Sequence, residues 1–150
     1  ESADHLLFDS RSDGRLKMEA DYIKAKSFLA TSRRDEAFAI LSRLSKDVSD
    51  PYGAEAAYML IQDSYDRGAF EDVETKVYAF ADAASDQTYW LAKSFIVLGD
   101  SFAERDEFEQ AKATFESVRD GYEPDRADDD VIRDVTMRLE KMESMMSEQN

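Results

Sequence analysis

The residue types that most often carry chemistry in proteins are scarce in this chain. It contains one histidine, His5, and no cysteine. The usual zinc sites need several histidines or thiolates, and a cysteine nucleophile needs a thiolate. His5 also lies in the segment with the weakest structural pattern, so we expect it to have neither a catalytic nor a metal-binding role.

The acidic run 125–130 is a second candidate for chemistry, as a calcium site. An EF-hand loop needs alternating oxygen ligands, a central glycine and a late glutamate, and this run has no such glycine. Its carboxylates are better interpreted as the start of a helix, where negative charge is favourable.

Other chemical signatures are also missing from the sequence. Two glycines never lie within five residues of each other and no Gly-Lys-Ser or Gly-Lys-Thr occurs, which argues against a nucleotide-binding loop. Asp and Glu abound, but the pattern singles out no catalytic pair. The sequence therefore predicts a protein that is not an enzyme and that uses no metal, no cofactor and no small-molecule substrate.

Charge and composition narrow the possible partners and the fold. Lys and Arg total 19 against 34 Asp and Glu, a net charge of −15, which repels nucleic-acid phosphates and anionic lipids. No stretch approaches the roughly 20 apolar residues of a membrane-spanning helix. With 43% hydrophobic and 35% charged residues but five Gly and two Pro, the chain suits amphipathic helices. We expect an all-α protein that does not bind nucleic acid and does not insert into a membrane.

Hydrophobic periodicity and helix-capping residues divide the chain into helices. Six are predicted near residues 16–32, 35–47, 53–67, 70–84, 88–104 and 107–120, and a seventh opens at 128–130. Capping residues are expected at Asp35, at Asp50 followed by Pro51, at Ser85 or Asp86, and at Asp106. Short turns between helices, such as 66–68, make each pair an antiparallel hairpin.

The predicted helices recur with a period of 37 residues. Three aromatic residues, Phe28, Tyr65 and Phe102, are each separated by 37 residues. The same spacing separates Ala25, Gln62 and Gly99, and also Tyr58 and Phe95. A fixed period of about 20 to 50 residues is typical of stacked-repeat folds. The spacing of the aromatic residues favours a place in the core over a ligand-stacking site.

The third copy resembles the tetratricopeptide repeat. The residues that carry the resemblance are Phe95, Leu98, Gly99 and Phe102, then Ala111 and Phe115, and finally Pro124. The family has an aromatic, Leu-Gly and Tyr on a first helix, Ala and Phe on a second, and Pro in the exit turn. In such a hairpin the small residues let the helix backbones approach closely. The resemblance covers roughly residues 16–124 and implies helical hairpins stacked into a superhelix.

The other two copies depart from this pattern. The middle copy has Gln62 in place of glycine and Val73 and Val77 in place of Ala and Phe, and its turn is predicted to be one residue shorter. The first copy has Asp21 and Lys24 where an aromatic and a Leu are usual. The period of 37 residues exceeds the usual 34 or so, so we expect longer loops between repeats.

The resulting domain prediction has three repeats, at about 16–50, 51–86 and 87–124. Residues 1–15 are predicted to be a lead segment or the remnant of a preceding repeat. Residues 125–150 are predicted to be a C-terminal capping helix that covers the last repeat with the stripe Val131, Val135, Leu139, Met142 and Met146. The alternative for this stripe is a methionine-lined docking helix.

The resemblance implies a protein-interaction scaffold whose first helices line a concave groove. The family positions that point into this groove correspond in this sequence to the expected partner-binding residues Tyr22, Lys26, Leu29, Met59, Asp63, Asp66, Lys93, Ile96 and Asp100. The four apolar members are expected to face solvent, so the groove would accept an extended or helical peptide of mixed charge.

Two questions stay open at this point. The function is either a scaffold that binds a protein or peptide in this groove, or a structural segment of a longer repeat array whose binding surface lies elsewhere. The compartment is not fixed by the sequence, although the resemblance favours the bacterial periplasm or envelope over the cytoplasm.

Overall fold

The computed structural model describes residues 2–124 and 126–149, and the side chains of residues 13–124 and 126–148. In this part of the chain all regular structure is helical, which confirms the all-α prediction. The helices are α1 (Ser2–Ala30), α2 (Arg34–Leu44), α3 (Pro51–Asp66), α4 (Phe70–Asp82), α5 (Thr88–Glu104), α6 (Phe108–Gly121) and α7 (Val131–Gln149). Six of the seven begin within three residues of their predicted positions. The exception is α1, which begins at Ser2 instead of near residue 16, so the backbone of the predicted lead segment is helical. The His5 side chain lies outside the described part.

The chain divides into two compact units, Glu1–Leu60 and Ile61–Asn150, with the boundary inside α3. In the first unit α1 packs on α2. Its core contains Ala25, Ile40, Leu41, Leu44 and Ala56. Gly53, near the start of α3, lies so close to α2 that a β-carbon would come within 2.7 Å of the Leu44 carbonyl oxygen. A side chain at this position would therefore push α3 away from the end of α2.

In the second unit α5 is the central helix. It packs on α4, α6 and α7, and α7 packs mainly on α6. The core between α5, α6 and α7 contains Tyr89, Ala92, Ile96, Phe108, Ala111, Phe115, Val118, Val131, Val135, Leu139 and Met142. The predicted stripe of α7 therefore faces inward, as a helix that covers a core requires, and Met146 packs against the edge of the same cluster.

The turns that join α1 to α2, α3 to α4 and α5 to α6 have the same conformation. Each has three residues between the helices. The middle residue, Ser32, Gly68 or Asp106, has a φ of 62°, 74° or 59°. The next residue donates a backbone hydrogen bond to a carbonyl five positions earlier, at 2.7, 2.8 and 2.9 Å. This is the Schellman arrangement, which satisfies carbonyl groups at a helix end. The chain therefore makes the same helical hairpin three times.

These turns correct the register that was predicted for the middle copy. The carbonyls that accept the turn hydrogen bond belong to Phe28, Ser64 and Phe102, so Ser64, and not Tyr65, occupies the position of the two phenylalanines. One turn earlier Ile61 is buried and Gln62 is partly exposed. The shorter spacing in this copy therefore arises because α3 is in a different register, whereas its turn is as long as the other two.

The second helices of the hairpins repeat more regularly than the first helices. Counted from the turn, the same three positions are buried in each hairpin: Ala37, Leu41 and Leu44 in α2, Val73, Val77 and Phe80 in α4, and Ala111, Phe115 and Val118 in α6. The spacing of four and three residues places them on one face of the helix. The substitution of Val for Ala and Phe in the middle copy changes the size of the core residues and leaves the pattern intact.

The capping predictions are partly correct. The Asp50 carboxylate accepts hydrogen bonds from the backbone N–H groups of Tyr52 and Gly53 at 2.8 and 3.4 Å, as expected of a cap before Pro51. The predictions for Asp35 and Asp106 are wrong. The cap residues of α2 and α6 are Arg33 and Glu107, without a side-chain cap bond, because the Schellman turn itself fixes where the next helix begins.

Candidate functional site

The nine residues predicted to bind a partner are called here the first-helix face, because they lie on α1, α3 and α5. In the first unit this face holds a compact polar cluster, the Tyr22 cluster, made of Tyr22, Lys26, Tyr52 and Glu55. The Tyr22 hydroxyl donates to both Glu55 carboxylate oxygens at 3.0 Å. The Lys26 ammonium lies 3.1 Å from the same carboxylate, and the rings of Tyr22 and Tyr52 are 4.7 Å apart. The cluster therefore links α1 to the start of α3.

Burial and the Glu55 carboxylate both shift the pKa values of Tyr22 and Lys26. Burial, followed by the charge of Glu55 and its hydrogen bond, raises the pKa of Tyr22. Burial lowers the pKa of Lys26, but the hydrogen bond to Glu55 and its charge outweigh burial and raise it overall. The phenol and the ammonium are therefore both held in their protonated forms, as hydrogen-bond donors.

The apolar members of the face are less available than predicted. Leu29 is half-buried. Met59 packs against the core of the first unit. Ile96 is 4% exposed and belongs to the core of the second unit, so the prediction that it faces solvent is wrong. Ile96 is buried because α7 completes a core on this side of α5.

Asp63 and Asp66 lie near the end of α3. The Arg67 guanidinium lies 2.9 Å from the Asp63 carboxylate, and the Gln62 amide donates to Asp66 at 3.0 Å. Asp66 is exposed. The Asp63 side chain, in contrast, is only 13% exposed.

Lys93 is held by residues at the start of α7. Its ammonium lies 2.9 Å from the Asp130 carboxylate and 3.6 Å from that of Asp134. The Tyr89 hydroxyl donates to Asp130 at 2.8 Å, and the Arg126 guanidinium lies 4.0 Å from the centre of the Tyr89 ring. Burial raises the pKa of Asp130, but the hydrogen bonds from Lys93 and Tyr89 lower it overall. Burial and the bond to Asp130 raise the pKa of Tyr89.

Asp100 is clamped by a second residue of α7. The Arg138 guanidinium donates to both Asp100 oxygens at 2.8 and 3.1 Å. Burial raises the pKa of Asp100 even though Arg138 opposes the shift. Lys93, Ile96 and Asp100, the three members of the face on α5, are therefore all used in packing against α7. The sequence did not reveal this, because the partners are 37 and 38 residues away along the chain.

A cleft in the second unit was not predicted. It has a volume of about 260 Å³ and lies between α5 and α6, lined by Thr88, Leu91, Ala92, Phe95, Ser117, Val118, Gly121 and Tyr122. We call it the apolar cleft. Phe95, assigned to the core from its spacing, is half-buried and lines this cleft.

An equivalent cleft lies between α1 and α2 in the first unit. It has the same volume of about 260 Å³ and is lined by Lys17, Met18, Asp21, Arg43, Leu44, Lys46 and Asp47. Counted from the hairpin turns, Asp21 takes the place of Phe95. The departure of the first copy from the family pattern at Asp21 was the sequence signal for this difference in lining. The equivalent cleft of the two hairpins is thus lined largely by charged side chains in the first unit and by apolar side chains in the second.

Within the part of the chain that the structure describes, no group of three or more His, Cys, Asp or Glu side chains is arranged to hold a metal ion. Among the helices formed by these residues, none combines the length and the hydropathy needed to cross a bilayer.

The chain was compared with known proteins by sequence and by fold. No protein-family model, no curated protein and no solved structure matches it.

Proposed function

We propose that this protein is a tetratricopeptide-like scaffold, whose helical hairpins stack into a superhelix and bind a segment of a protein or a peptide. The observation that carries the proposal is the hairpin turn repeated at Ser32, Gly68 and Asp106. A chain that repeats one hairpin, with the same buried positions in each second helix, is typical of solenoid proteins, which use their extended surfaces for binding.

The positions proposed for partner contact are the exposed Lys26 and the half-buried Leu29 in the first unit and the exposed Asp66 in the second. The first unit thus offers a positive and an apolar group, and the second unit offers a negative group. Lys93, Ile96 and Asp100 are left out of the proposed contact set because they pack against α7.

A binding role fits the polar clusters better than a catalytic role. A general base needs a free oxygen that can reach a substrate proton. The partly buried carboxylate with a raised pKa, Asp100, has both oxygens occupied by Arg138. Asp130 has one oxygen occupied by Tyr89 and the other by Lys93. These carboxylates are arranged to join helices.

The test uses a displayed library of random peptides selected on the wild-type chain. The enriched peptides are then titrated against Lys26→Ala and Asp66→Ala, and against the matched controls Lys141→Ala and Glu140→Ala on α7, whose side chains are exposed. We expect an affinity loss of about tenfold for the first pair, as for contact residues at interfaces, and no change for the controls.

Two results would refute the proposal. One is the absence of any enriched peptide. The other is binding that is equally strong in Lys26→Ala, Asp66→Ala and the wild type. Circular dichroism of each variant verifies that the helices are intact, so a loss of affinity can be assigned to the contact.

A further inference from the structure

The outer side of α1 carries an exposed apolar stripe. Leu16 is 62% exposed and Ile23 is 59% exposed, and the exposed Ala20 lies between them. The spacing of four and three residues places the three on one side of the helix, opposite the fully buried Ala25. We call these residues the outer stripe of α1. Large side chains exposed together on one helix face are typical of a contact surface.

The same positions are covered on α5. Counted from the hairpin turn, the residues equivalent to Leu16, Ala20 and Ile23 are Trp90, Ser94 and Val97. Trp90 is partly buried and packs against the core shared with α6 and α7. Ser94 is fully buried, Val97 is 4% exposed, and both lie outside that core. The helix that packs on α5 from the preceding hairpin is α4. The outer face of α5 is therefore covered by the second helix of another hairpin.

An ion pair accompanies this contact between α4 and α5. The Arg105 guanidinium, in the turn after α5, lies 2.5 Å from the Glu74 carboxylate of α4. It also lies over the ring of Phe70, the first residue of α4. The covering helix thus brings a carboxylate to a basic group beside the apolar contact.

The equivalent positions on α3 are also covered, within the first unit. They are Tyr52, Ala56 and Met59. Ala56 is fully buried in a cluster with Ile40 and Leu41 of α2, and Met59 packs against the same cluster. In both hairpins that have a preceding hairpin, the last two of these positions on the first helix are thus covered, and the second helix of the preceding hairpin takes part in the contact. Only on α1, among the three first helices, is the stripe exposed.

The charged residues beside the outer stripe indicate what kind of helix could bind there. The exposed side chains of Lys17 and Lys24 lie seven residues apart along one edge of the outer stripe, and with the exposed Asp13 on the same edge they leave it with a net positive charge. The second helices that cover this position elsewhere begin with acidic residues, Asp35 and Glu36 in α2 and Glu71 and Asp72 in α4. A helix with an apolar stripe and acidic neighbours would match both the outer stripe and its basic edge.

We propose that the outer stripe of α1 is a docking site for an acidic amphipathic helix of a partner protein, held as α5 holds α4. A second copy of the chain fits less well. The outer side of α7 exposes Arg133, Glu140 and Lys141, so docking of α7 from a second copy would place charges on the apolar stripe. An antiparallel two-fold contact of two α1 helices would place their lysine edges side by side. This site is separate from the surface proposed above for peptide binding.

The test uses a peptide of residues 69–85, the α4 segment, as a defined acidic amphipathic helix. It is labelled and titrated into the full chain by fluorescence anisotropy, and its site is mapped by backbone amide chemical shifts. We expect binding, with shifts at Leu16, Ala20 and Ile23. The double variant Leu16→Glu/Ile23→Glu should weaken it at least tenfold, whereas Met137→Glu, at an exposed apolar residue of α7, should leave it unchanged.

A second measurement uses only the wild-type chain, in case the double variant does not fold. A peptide with Glu71, Asp72 and Glu74 replaced by Gln, Asn and Gln should bind several-fold more weakly and with less dependence on salt. The proposal is overturned if the acidic peptide does not bind or if shifts appear at Ser94 and Val97, which would mean that it displaces α4. It is also overturned if the chain dimerises in sedimentation through α1, because the stripe would then be a contact between copies.

Discussion

The guanidinium of Arg138 on α7 donates two hydrogen bonds to the carboxylate of Asp100 on α5, at 2.8 and 3.1 Å. Two parallel hydrogen bonds fix both the distance and the orientation of the pair. Together with the contact of Lys93 with Asp130, they attach α7 to the first helix of the third hairpin. A residue expected to contact a partner is thereby part of the internal packing of the second unit.

Removing Arg138 is expected to destabilise the second unit. Arg138→Met retains much of the aliphatic contact but leaves the partly buried Asp100 carboxylate without its donor, which typically costs about 1–3 kcal/mol. Chemical denaturation measures the loss. Arg119→Met is the matched control, because its ion pair with Asp120 is exposed and such pairs contribute little. Equal stability of Arg138→Met and wild type would contradict a structural role for the pair.

Replacing the turn glycine with alanine is expected to lower stability, whereas the same replacement of a helical glycine is expected to raise it. Gly68 has a φ of 74°, so Gly68→Ala forces a side chain into the left-handed region at a cost of about 1–2 kcal/mol. Gly14 lies inside α1 with open space where its β-carbon would be, so Gly14→Ala should stabilise by about 0.5–1 kcal/mol. Thermal unfolding of the two variants provides the comparison, and the same sign for both would contradict the turn assignment.

Gly99 is expected to be intolerant of alanine because of Phe115. A β-carbon on Gly99 would overlap the Phe115 ring, which is fully buried. Overpacking of this kind costs about 1–3 kcal/mol. Phe115→Leu should make room for the added methyl group, so the double variant should lose less stability than the sum of the two single variants. Additive losses in a double-mutant cycle would show that the two positions do not touch.

The Tyr65 hydroxyl is expected to lose its proton only at high pH, and the stability of the fold should therefore fall in that pH range. Burial, with the hydrogen bond to Glu104 next, raises the pKa of Tyr65 to about 12 from 10.0. The stabilisation from the protonated phenol is therefore complete below pH 10 and is lost as pH rises towards 12. The advantage of wild type over Tyr65→Phe in unfolding free energy should shrink across that window.

Glu104→Gln is the companion variant for this titration. It removes the carboxylate that accepts a hydrogen bond from the Tyr65 hydroxyl at 3.0 Å. The absorbance of the tyrosinate should therefore develop at lower pH. An unchanged absorbance titration in Glu104→Gln would exclude Glu104 as a cause of the shift.

Some features of this fold could be read from local sequence because they depend on local physics. The buried positions of α6, such as Ala111 and Phe115, follow from a helical period of 3.6 residues. The cap at Asp50 follows from a short side chain that can reach the free N–H groups of the next helix. For the same reason the positions of six of the seven helices were predicted closely.

The middle hairpin shows where local information was insufficient. Phe28, Tyr65 and Phe102 are aromatic residues at equal spacing in the sequence. In the structure, however, Ser64 and not Tyr65 occupies the position equivalent to Phe28 and Phe102. Ser64 is buried and accepts a hydrogen bond from the Lys76 ammonium at 2.6 Å. A buried serine is acceptable there because of that lysine, which lies on the facing helix and could not be assigned to Ser64 from spacing alone.

The sequence by itself determined that the described chain is helical and that it repeats one hairpin, because turns and amphipathic periods are encoded within a few neighbouring residues. The tertiary structure alone decided which first-helix residues reach solvent. Ile96 is buried and Asp100 is paired with Arg138, whereas Leu16 and Ile23 are exposed. Exposure depends on which helix packs alongside, and that helix can be far away in the chain.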